Sequence, residues 1–118
     1  SMGGFVIKTI LAFTFCFSSA FATAIGNAVY NSSTQTLNLD VDYEGGLKPH
    51  TFSLQWDTCQ TINEVQQISA MLIDSGWDDT GTDAYHETIS LDLSSLTCKP
   101  AQLTIISDRH SRQTLWID

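Results

Sequence analysis

Residues 36–56 read TLNLDVDYEGGLKPHTFSLQW, and their pattern decides the fold class. Leu37, Leu39, Val41 and Tyr43 alternate with Thr36, Asn38, Asp40 and Asp42, the period of a strand with one apolar and one acidic face. Phe52, Leu54 and Trp56 alternate in the same way with Thr51, Ser53 and Gln55, and His50 falls in phase with the apolar set. Between the two runs, Glu44, Gly45, Gly46 and Pro49 supply turn chemistry. The expectation is a pair of amphipathic strands joined as a hairpin, with the rest of the chain closing over its apolar face.

Working outward, one short strand is expected around residues 28–30, followed by the turn-rich Asn31-Ser32-Ser33. Residues 57–63 form a polar loop carrying Cys59. Residues 64–74 fit a helical stripe through Val65, Ile68 and Leu72 as well as a strand face through Ile68, Ala70 and Leu72. Strand is preferred for 67–73, because its neighbours are strand-like. Residues 75–84 are a Gly- and Asp-rich connection, and 86–93, 101–107 and 113–117 alternate as further strands. About seven short strands without a firm helix describe an all-β chain, a small antiparallel β-sandwich of immunoglobulin-like type, with a small β-barrel as the alternative.

The 118 residues allow one domain. Residues 1–22 have the order of a secretory signal behind a cloning scar at Ser1. Lys8 precedes an apolar run, and small residues end in Ala20-Phe21-Ala22 with cleavage expected near Ala22. The domain proper is then 23–118, secreted or periplasmic, with no membrane span in the mature chain. The net charge of −8 becomes −9 once Lys8 is removed. Such a balance repels nucleic acid; solubility alone is its plainer reading, and a basic protein is the partner it would suit. Cys16 leaves with the leader, so Cys59 and Cys98 are expected to form a disulfide in an oxidising compartment.

The run YEGGLKPHTFSLQW, followed after an Asp-rich connection by HETISLDLSSL, resembles a group of small exported bacterial proteins with the signature Y-x-G-G-C-x-x-H-x-F-x-L. The resemblance extends from about Leu37 to Ile106. Gly45, Gly46, His50, Phe52 and Leu54 match, whereas Leu47 stands where the signature has cysteine. It implies an exported β domain and carries no activity across.

Candidate chemistry is sparse. His50 and His86 are metal-ligand candidates if their strands converge, although the plainer reading has His50 pinned to turn backbone. Asp74, Asp78, Asp79 and Asp83 crowd one loop, as Ca²⁺ would require, but the spacing is not that of a D-x-D-x-D-G loop, and a solvated hairpin tip is preferred. Trp77, among those aspartates, either folds back over the core or is presented to a partner. No nucleophile elbow, zinc-protease helix or phosphate loop is present, so neither an enzyme nor a cofactor is expected. The leading expectation is a protein-binding or inhibitory module using Trp77, Asp78 and Asp79. The alternatives are a metal-binding domain through His50 and His86 or through the loop from Asp74 to Asp83, and a structural accessory of the envelope.

Overall fold

The structure, a computed structural model, describes residues 23–108 and 110–118. The expected signal segment, 1–22, lies outside them. The described residues form eight strands and no helix: β1 Ala24–Asn31, β2 Thr36–Gly45, β3 Phe52–Trp56, β4 Gln60–Ile62, β5 Val65–Asp74, β6 Asp83–Asp92, β7 Ala101–Ile106 and β8 Arg112–Ile117. They make two sheets, one in the order β1-β2-β6 and one in the order β3-β5-β7-β8 with β4 beside β5. This is a small β-sandwich, and neither sheet closes into a barrel. The core is the inward row of each strand. Leu37, Leu39 and Val41 from β2 meet Ile68, Ala70 and Leu72 from β5 and Leu103 and Ile105 from β7, all buried.

Two expectations are corrected by the strand pairing. Residues 36–56 are not a hairpin: β2 pairs with β1 and β6, while β3 pairs with β5 in the other sheet. Residues 46–51 therefore carry the chain across the sandwich, and residues 75–82 carry it back from β5 to β6. The sandwich is also not wholly antiparallel, because β5 and β7 run parallel. The physical reason is β6: it lies in the opposite sheet, so the chain returns to the side of β5 travelling in the same direction.

The segment 57–63, expected to be a loop, contains β4. Strands β3 and β4 both lie antiparallel along β5, and the chain between them bulges at 57–59, where the Asp57 amide donates to the Ser69 carbonyl. Asn63 and Glu64, at φ 52° and 68°, make the tight turn into β5. Cys59, in the bulge, is joined to Cys98 in the β6–β7 connection, as expected. Along one side the sandwich is sealed where β1 runs beside β8, with the Tyr30 hydroxyl donating to the Asp118 carbonyl and the Ile25 amide donating to Ser111 Oγ.

Candidate functional site

The two sheet-crossing loops meet at one end of the sandwich, and a buried carboxylate joins them. In the 46–51 loop, three successive amides point at Asp79: Gly46 N at 3.1 Å, Leu47 N at 3.2 Å and Lys48 N at 3.3 Å from Oδ2. Oδ1 accepts from Gly81 N at 2.9 Å. Consecutive N–H groups folded around one anion form a nest that concentrates their partial positive charge. The chain can make it because Gly46 takes φ 123°, a backbone conformation that side chains disfavour. Gly81 is held by space instead. A Cβ there would lie 2.3 Å from the Gly45 carbonyl oxygen, so the two loops touch backbone to backbone.

His50 completes the joint. Its Nδ1 lies 2.8 Å from both carboxylate oxygens of Asp74, and its Nε2 lies 2.9 Å from Asp79 Oδ2. Each ring nitrogen thus faces a carboxylate oxygen to which an N–H can donate, an arrangement that favours the imidazolium form of His50. The ring is 3% exposed and packs on Tyr43 at a centroid distance of 4.6 Å. Asp74 is further fixed by Gly76 N at 2.8 Å and by the Thr23 hydroxyl at 3.4 Å. Carbons at Gly45 or Gly76 would intrude on the ring at 2.6 and 2.7 Å, so both glycines are clearance for the histidine.

Burial disfavours a charged imidazole, but the hydrogen bonds to Asp79 and Asp74 and the charges of both outweigh it, and the His50 pKa is raised. Burial likewise works against ionised Asp79, yet His50 and the amides of Gly81, Leu47 and Lys48 hold its pKa well below the usual carboxylate range. The sign follows for each group. The His50 contribution to stability is full below the ordinary value of 6.5 and is lost as pH rises through the raised folded value. The Asp79 contribution is present above the ordinary value of 3.8 and is lost as pH falls toward its depressed folded value. Urea midpoints should therefore be highest between roughly pH 4 and 6.5. The decline above that window should largely disappear in His50→Gln, and an identical alkaline slope in the variant would remove the imidazolium from the account.

The residues singled out in the sequence are distributed unevenly around this joint. Trp77 is exposed, at 65%, and Asp78 is exposed and paired with Lys48 Nζ at 2.7 Å across the two loops. Asp79 was expected on the partner-facing edge, but at 1% exposure it lies beneath that edge and holds it together. The reading of the loop as a solvated hairpin tip is corrected for the same reason: Asp74 and Asp79 are buried, and the loop joins two sheets. His50 is pinned by two carboxylates rather than by turn backbone.

His50 and His86 do not converge. His86 points to the outer face of its sheet, where Nδ1 lies 2.6 Å from Asp42 Oδ1, and Asp83 packs beside Gly46. Among the described residues no group of three or more His, Cys, Asp or Glu side chains is placed to hold a metal ion. Sequence reasoning missed Leu47 as a surface feature. It is 72% exposed in the 46–51 loop and itself lines an open cleft with Tyr43, Lys48, Pro49, His50 and Tyr85.

Compared with known proteins, the chain matches no family model, no curated protein and no solved structure.

Proposed function

We propose that the domain is an exported, acidic protein-binding module whose contact surface is the end formed by the two crossing loops. One observation carries the reading: Leu47 and Trp77, two large apolar side chains, are exposed on separate loops that a single buried carboxylate locks together. Exposed apolar side chains on mobile loops lose conformational entropy when a partner orders them, whereas here much of that ordering is already present. Tryptophan on such a platform suits a hot-spot anchor. The net charge of −8 favours a basic protein as the partner and quickens its approach. Binding or inhibition is favoured over catalysis because both nitrogens of His50 are engaged by carboxylates and none is free to shuttle a proton.

Capture of basic proteins from an envelope extract, followed by affinity measurement on whatever is retained, tests the reading. Trp77→Ala should melt like the parent, because its side chain supports no core, and should weaken binding about 30-fold, a loss of about 2 kcal/mol. Equal capture by parent and variant, or a variant that loses stability instead of affinity, would remove this end of the molecule as the contact surface.

A further inference from the structure

The two sheets differ in width, and the difference leaves the sandwich open on one side. Strand β6 is paired only with β2, so among the described residues one edge of this ten-residue strand meets no other strand. Across from it, β3 is the edge of the wider sheet, and its inward row Phe52, Leu54 and Trp56 is only half-buried. Between these edges runs a groove walled by Phe52, Leu54 and Trp56 on one side and by Leu91 and Leu93 on the other. A fourth strand added to β6 would cover that row. It would also satisfy the free backbone groups of the edge.

The outer face beside this edge is acidic. Strand β2 presents Asp40, Asp42 and Glu44 outward, directly beside Thr88, His86 and Ala84 of β6, and Asp92 ends the same outward row of β6. A strand joined to β6 would place alternate side chains into the groove and the remainder over this acidic face. A second copy fits poorly. Such a pairing would bring together two chains of net charge −8.

We infer that the β6 edge is a β-augmentation site for an extended segment of a partner protein in which apolar residues alternate with Lys or Arg. The site is separate from the loop end and does not require Trp77.

The probe is a ten-residue peptide of alternating Val and Lys, added to the full chain and followed by affinity and by amide hydrogen exchange. The expected result is new protection within residues 83–92, binding at least about tenfold weaker for the peptide N-methylated throughout, and no binding by an alternating Val and Glu peptide. Asp40→Asn combined with Asp42→Asn preserves oxygen acceptors for Thr88 and His86 while removing charge, and should weaken binding about tenfold. Trp77→Ala should leave peptide affinity unchanged, which separates this site from the loop end.

Equal binding of the N-methylated peptide would reduce the contact to charge alone and overturn the proposal. So would protection confined to residues 75–82, or amide exchange of residues 83–92 that is already slow without peptide in a chain that sedimentation shows to be a dimer.

Discussion

Replacing His50 by alanine should lower the free energy of unfolding by about 3–5 kcal/mol, the scale for removing one partner from a buried ionic network. The reasons add in one direction. The ring bridges two buried carboxylates at 2.8 and 2.9 Å, and without it Asp74 and Asp79 face each other with no cation between them. Its packing on Tyr43 is lost as well. That tyrosine is the hub of the end, lying edge-on to Phe52 at 5.2 Å, stacked on Tyr85 at 5.3 Å, and donating its hydroxyl to Glu87. Chemical denaturation checks the magnitude. His86→Ala serves as the control, because that imidazole is 65% exposed with Asp42 as its partner and its loss should scarcely move the midpoint. Equal effects for the two histidines would contradict the assignment of His50 as a joint.

Loss of the Cys59–Cys98 bond should cost a similar amount, about 4 kcal/mol, for a different reason. The bond spans 39 positions, so opening it releases a long closed loop in the unfolded chain. It also ties the bulge between β3 and β4 to the β6–β7 crossover, at the end of the sandwich away from His50. The expected result is that denaturation with reductant, or of a Cys59→Ser and Cys98→Ser double variant, shifts the midpoint strongly and leaves the β-sheet spectrum intact at low denaturant. Because the bond and the His50 joint share no partners, their losses should add. A reduced protein as stable as the oxidised one would show that the bond constrains little.

The strands were legible where one face is fully buried. In β2 the alternation of Leu37, Leu39 and Val41, each fully buried, against Asn38, Asp40 and Asp42 reads directly as a strand. Their pairing was not legible, because the turn residues Glu44-Gly45-Gly46 and Pro49 look the same in a hairpin and in a crossing between sheets. The partners of β2 are β1 before it and, on its other edge, β6 at 83–92, and local spacing does not reveal the second. The turn at Asn63-Glu64 was hidden for a simpler reason: neither of its positive-φ residues is a glycine.

The site was half visible. His50 stood out by its phase with Phe52 and Leu54, and Trp77 by its polar neighbours. The roles of Gly45, Gly76 and Gly81 depend on clearance around His50 and between backbones, and what sets Asp79 apart from Asp78 is mostly distant in sequence, namely His50 and the amides 31 to 33 positions away. A run of small or turn-forming residues with adjacent free amides, set before a histidine and well upstream of an aspartate, is the signal that could have marked the nest.

Amide hydrogen exchange at Gly46, Leu47, Lys48 and Gly81 tests most directly whether the two crossing loops are one rigid unit. All four amides donate to Asp79, although Leu47 and Lys48 carry exposed side chains. The account predicts that in the parent protein they exchange as slowly as amides of β2 and β5, opening only with the whole domain, and that Asp79→Asn makes all four fast together. Rapid exchange of these amides in the parent, at the rate of an ordinary surface loop, would contradict it.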